Sequence, residues 1–166
     1  MTDMDIKYVK TRIVKSPKRV SKHDAGIDLF IPQLHDELCH KIMAMSNKVW
    51  PKMSPSNDKI EALSVHPGGR ILIPSGLHFK IPDGTALVAF NKNDVATKLG
   101  FTTGACVCDS RYQGELHISL INSSTSEITI HSHQKIQQFL LLPVYHSPIE
   151  EVDTLTELYS SDGGDK

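Results

Sequence analysis

The stretch FNKNDVATKLG at residues 90–100, followed at once by FTTGACVCDSRYQGELHISLIN at residues 101–122, decides how this chain is built. It reads as the end of a strand, a polar turn leaving through Ala96, Lys98 and Gly100, and then a β-hairpin. Leu116, Ile118 and Leu120 recur at every second position with His117 and Ser119 between them, the period of a strand with one apolar face. Downstream, Ile128 and Ile130 repeat the alternation around Thr129. Upstream, residues 6–14 alternate loosely, and short apolar runs at 70–73, 77–81 and 86–90 are separated by Pro74-Ser75-Gly76 and Pro82-Asp83-Gly84. Strand-length runs punctuated by Pro and Gly predict an all-β fold, a jelly-roll-like sandwich or barrel.

One segment keeps a different period. In LHDELCHKIMAMSNKVW (residues 34–50), Leu34, Leu38, Ile42 and Met45 stand four, four and three apart, which predicts an amphipathic helix. Pro51 and Pro55 are read as ending it. Residues 34–61 are accordingly expected to carry a short helix, packed on the sandwich or offered to a protein partner. His35 and Cys39, one turn apart and next to His40, make only a fragment of a zinc site; without a second ligand cluster, packing or exposure is expected.

The 166 residues suit one domain with a real core, read as residues 1–150 with a tail at 151–166. A hydrophobic fraction of 39% and a charged fraction of 22% are those of a soluble globular chain. The net charge of −1 gives the whole molecule no pull toward nucleic acid or an anionic membrane. The apolar run at 139–144 is too short to span a bilayer, and the first residues lack the apolar core of a signal peptide. Three cysteines do not make a disulfide framework, so a reducing cytoplasm is expected. Cys106 and Cys108 share one side of a strand and are expected in the core.

DAGIDLF (residues 24–30), FNKNDVATKLG, the series Asp109, Tyr112, Gln113, Gly114, and QKIQQFLLLPV (residues 134–144) follow one another in an order that resembles the homotrimeric dUTP pyrophosphatase (dUTPase) family. The resemblance covers residues 24–144. It implies a homotrimer with sites at subunit junctions, dUTP as substrate, Mg²⁺ as cofactor, and attack by water on the α-phosphorus. Asp109 would be the general base and Tyr112 the residue whose ring packs on the deoxyribose and excludes a 2′-hydroxyl. The backbone of 103–107, with Thr103 and Gly104, would read the uracil edge through N–H and C=O groups. Asp28 would hold the metal through water, and Lys92, Asn93 and Gln138 would bind phosphate. Gly114 is expected to allow a turn that a side chain would hinder.

The chain also departs from that pattern: the resemblance implies that residues 34–61, longer than the family's path between these segments, are an insertion. Where the family has Arg-Ser-Gly/Ser-Leu/Val-Ala, this sequence has Lys92-Asn93-Asp94-Val95-Ala96. Lysine supplies charge without bidentate geometry, and Asp94 is read as the N-cap of the following helix. Arg111 stands where an acid or neutral residue is usual, and His131-Ser132-His133 where the family prefers glycine and an acid. The family's glycine-rich arm is matched only by Gly163-Gly164, without its Phe. A dUTPase-like protein that binds nucleotide without hydrolysis, for regulation, would fit these departures. A dCTP-deaminase type is faintly suggested by His66-Pro67-Gly68, but no carboxylate is evident for the pyrimidine C4.

Overall fold

The computed structural model describes residues 5–105 and 107–159, and of Glu157 the backbone alone. Cys106 and Gly163-Gly164 therefore lie outside the described residues. Two β-sheets face each other across one apolar core. The first runs β10 (Ile128–His131), β4 (Ile60–Pro74), β9 (His117–Asn122), β7 (Phe101–Thr103), with β3 (Asn47–Met53) also paired to β4. The second runs β2 (Ile27–Phe30), β11 (Lys135–Pro143), β6 (Thr85–Phe90), β8 (Val107–Asp109). A small ribbon joins β1 (Lys7–Lys10) to β5 (Leu77–Lys80). Leu29, Leu63, Ile71, Ile73, Leu87, Ile118, Ile130 and Phe139 fill the space between the sheets. The all-β sandwich expected from the Pro/Gly punctuation is present. Among the described residues, no helix is long and apolar enough to cross a membrane.

The helix expected over 34–50 is shorter, α1 (Asp36–Met45). Its stripe behaves as read: Leu34, Leu38 and Ile42 are buried, and Met45 half-buried. Asn47 onward turns into β3 and pairs with β4, so Pro51 lies within a strand and terminates nothing. Ser46 marks the change, its Oγ accepting the N–H of Leu72 at 3.0 Å. The long strand β4 supplies a pairing edge that overrides helical propensity. His35 is the N-cap, its Nδ1 accepting the Leu38 N–H, and Cys39 is fully buried, its thiol pushed up to about 11 by burial and by the charge of Asp36. Neither is placed as a metal ligand. His66-Pro67-Gly68 forms a bulge in β4 opposite Lys48, with Gly68 at φ +70°. His66 there contacts Trp50 and Glu127 rather than a nucleotide cleft.

The hairpin expected over 101–122 forms in part: β7 pairs antiparallel with β9, Phe101 opposite Asn122, but β8 joins β6, so between Thr103 and Val107 the chain passes from one sheet to the other. Ser119, read as facing away from the apolar row, is 3% exposed because this crossing covers it. His133 explains why glycine is usual in its place: its φ is +63°, a left-handed turn conformation that favours glycine.

Arg12 clamps the ribbon to the sandwich, its Nε and Nη2 donating to Glu115 Oε1 and Oε2 at 2.9 and 3.2 Å, while Gly76 N–H donates to Oε1 at 2.7 Å. Burial pushes the Glu115 carboxyl up, but these donors and the charges of Arg12 and His117 outweigh it and leave it below its ordinary value. A depressed carboxyl contributes stability above the unfolded-state value, lost as pH falls through the folded one. In urea unfolding at a series of pH values, the wild-type advantage over Glu115→Gln is therefore expected to shrink below about pH 4. A gap that stays constant across that range would contradict the clamp.

Candidate active site

Motifs one, two and four meet in one cleft of about 500 Å³, lined by Gly26, Asp28, Asn91, Lys92, Asn93 and Gln138 among others. Asp28 comes from the buried strand β2 and is 4% exposed. A carboxylate so buried needs partners, and it has two. Lys92 Nζ lies 3.3 Å from Oδ1 and Lys135 Nζ 3.2 Å from Oδ2. Gln138 Nε2 donates to the carbonyl of Asn91 at 3.0 Å. Its Oε1 lies where a Cβ on Gly26 would stand, 2.5 Å away, so Gly26 is what lets Gln138 settle there. The Lys92 ammonium beside the Asn93 and Gln138 amides gives the cleft groups that can meet an anion, while Lys135 pairs with Asp28 without lining the cleft.

The metal expectation meets this geometry directly. Both oxygens of Asp28 already face ammonium groups, and no cluster of three or more His, Cys, Asp or Glu among the described residues could hold an ion. The expected contact of Asp28 with Mg²⁺ runs through water and needs no such cluster; Asp28 also sets the positions of Lys92 and Lys135.

The second motif differs from its expected form. Val95–Leu99 is a π-helical turn closed by Gly100 at φ +87°, whose N–H donates to the Val95 carbonyl at 3.1 Å. Asp94 is not a cap. Its backbone is already helical at φ −65° and ψ −32°, and its side chain makes no capping bond. The carboxylate is largely exposed, 3.9 Å from Lys92 Nζ, where it competes weakly for that ammonium.

Asp109 ends β8 with its side chain exposed, Oδ1 accepting the Arg111 N–H at 2.9 Å. It borders an open cleft of about 600 Å³ with Asp83, Gly84, Ser110, Arg111 and His146. Tyr112 follows the turn, its N–H donating to the Asp109 carbonyl at 3.2 Å and its hydroxyl to the Glu115 carbonyl at 3.0 Å. A Cβ on Gly114 would sit 2.5 Å from Tyr112 Oη. Gly114 is thus required by the tyrosine ring folded over it. Beside Tyr112 a smaller cavity of about 200 Å³ is lined by Ala105, Val107, Cys108, Leu116, His117 and Phe139. Cys108 is buried there as expected, its thiol pushed up by burial and by the Asp109 charge.

Three of the backbone donors expected to read a base are already in use. Thr103 N–H donates to Asn91 Oδ1 at 2.7 Å, Gly104 N–H to the Ser119 carbonyl at 2.9 Å, and Ala105 N–H to Ser119 Oγ at 3.3 Å.

Within one chain the two groups stay apart. Asp109 pairs with Ala86 and Gln138 with Phe90, four residues along β6, or about 13 Å. Lys135 and Asn91 were missed by the sequence reading. A register shift between Lys135 and Gln137 breaks the alternation from which the pairing of Lys135 with Asp28 could be read. Asn91 looks like any loop polar residue, yet its side chain holds Thr103 while its carbonyl holds Gln138.

The dUTPase family model matches residues 59–166. The deoxyuridine 5'-triphosphate nucleotidohydrolase of Finegoldia magna is 33% identical over 134 residues, covering 75% of this chain and 94% of that protein. Among solved structures, a dUTPase variant of Staphylococcus bacteriophage 80alpha with dUpNHpp superposes with a TM-score of 0.70 at 15% identity, covering 98% of this chain and 95% of that one. A dUTPase variant from phage phi11 of S. aureus, described with a structural Mg(II) ion, superposes with a TM-score of 0.68 at 15% identity over 91% and 98%.

Proposed function

This chain belongs to the dUTPase family, and on that premise we propose that it hydrolyses dUTP to dUMP and pyrophosphate. The observation that carries the reading is the cleft in which Asp28, Lys92, Asn93 and Gln138 converge, a polyanion receptor at the place the family's order of motifs implies. Lys92 offsets phosphate charge, Asp28 orients its ammonium group, and the Asn93 and Gln138 amides donate hydrogen bonds. Asp109 takes a proton from water as its oxygen attacks the α-phosphorus. The bond from that phosphorus to the bridging oxygen breaks, and pyrophosphate leaves. Mg²⁺ belongs to the substrate as Mg–dUTP. The reaction is proposed for the cytoplasm, where the free thiols Cys39 and Cys108 stay reduced.

Asp109 lies about 13 Å along β6 from Gln138, too far to serve a phosphate held in its own chain's cleft. A homotrimer resolves this: the Asp109–Tyr112 half of one copy completes the Lys92 cleft of another. Substrate release assays test the chemistry. With Mg–dUTP the protein is expected to yield dUMP and pyrophosphate in equal amounts, and stable binding without products would favour a nucleotide-binding role.

Tyr112 is the proposed sugar selector, and Gly114 sets its ring. Gly114→Ala is expected to displace the ring and lower kcat/KM for dUTP by up to about a hundredfold, with a smaller loss for UTP. Steady-state rates on both substrates check this; equal losses would remove Tyr112 from sugar selection.

A further inference from the structure

The cavity of about 200 Å³ beside Tyr112 is smaller than a whole nucleotide needs but admits a single ring. Its wall is mostly apolar: Ala105, Val107, Leu116 and Phe139. Of its polar side chains, Tyr112 already spends its hydroxyl proton on the Glu115 carbonyl, and Cys108 is a weak, buried thiol. The backbone N–H groups of Thr103, Gly104 and Ala105 are also committed. His117 remains.

His117 opens β9, and its Nδ1 lies 2.8 Å from the Glu115 carbonyl. A carbonyl only accepts, so Nδ1 carries a proton, and in the neutral form of the ring Nε2 keeps an acceptor lone pair. That nitrogen has no hydrogen-bond partner among the described residues. The same carbonyl receives Tyr112 Oη, so one oxygen fixes both the ring beside the sugar and the imidazole beside the base.

We propose that His117 discriminates the base, its Nε2 accepting the N3–H of a pyrimidine-2,4-dione. Uracil carries a proton at N3 and satisfies this acceptor. Cytosine presents a lone pair at N3, leaving two acceptors face to face and the imidazole unpaired in an apolar wall. A site built to meet a polar group rejects the analogue lacking it far more strongly than an apolar pocket rejects a size change. The inference rests on the dUTPase reading and adds a side-chain reader to it.

The test is calorimetric titration of the full-length protein with dUMP and with dCMP, repeated on His117→Met and His117→Gln. Wild type is expected to prefer dUMP. His117→Met, similar in bulk but with only a weak acceptor, is expected to bind dUMP about tenfold more weakly and to lose most of the preference. His117→Gln, whose Oε1 also accepts, is expected to retain most of it. Both ligands are measured on one sample, so partial unfolding cancels from the ratio. A His117→Met protein that keeps the wild-type ratio, or loses both ligands equally, overturns the role of His117 alone. Wild type that binds neither nucleotide and releases no pyrophosphate from dUTP overturns the dUTPase reading along with it.

Discussion

Asp109→Asn is expected to slow dUTP hydrolysis by about 10²- to 10⁴-fold, the usual contribution of a positioned general base. Nucleotide affinity should remain largely unchanged. The substitution is nearly isosteric, and the bond that Oδ1 accepts from Arg111 N–H can be kept by the amide oxygen. Asp109 is exposed at the end of β8, so the fold does not depend on its charge. Single-turnover rates and equilibrium binding separate the two effects. Loss of affinity with an unchanged rate for bound substrate would make Asp109 a binding residue, and a fully active variant would remove it from the mechanism.

Asp28→Ala should be the most costly of the site substitutions for stability, by about 3 kcal/mol, the low end of the range for breaking a buried pair. The low end applies because the side chains of Lys92 and Lys135 are 17% and 35% exposed and can partly turn to water. The carboxylate that holds two ammonium groups together is removed, and their mutual repulsion is left. Urea midpoints measure the cost. Phosphate-side affinity should fall with it, because the lysines splay. A loss under about 0.5 kcal/mol, the scale of a surface pair, would mean that the lysines are held by something else.

Legibility followed the range of the interactions involved. The alternation of Leu116, Ile118 and Leu120 and the stripe of Leu34, Leu38 and Ile42 depend on each residue's own element, and both faces are buried as their periods imply. The order of motifs named Asp28, Lys92, Asn93 and Gln138, and the fold brings them to one cleft. What escaped depends on partners distant in sequence. Residues 47–50 continued a helical pattern until β4 offered a longer pairing edge. The stretch 101–122 read as one hairpin, and its ends do pair, but sequence does not say which sheet receives each strand, and β8 went to β6. Asp94 resembled a cap, but the helical conformation begins before it. Lys135 was hidden by one register shift, and its pairing with Asp28 makes that carboxylate an organiser of ammonium groups.

The central claim is that this chain hydrolyses dUTP at sites shared between copies. It is tested most directly by mixing purified Asp109→Asn and Lys92→Met proteins, each nearly inactive, under conditions that exchange subunits. In a 1:1 mixture one junction in four joins the intact Asp109 half of one copy to the intact Lys92 half of another, so dUTP turnover should recover to about a quarter of wild type. Exchanged mixtures that stay as inactive as their parents would contradict the shared site.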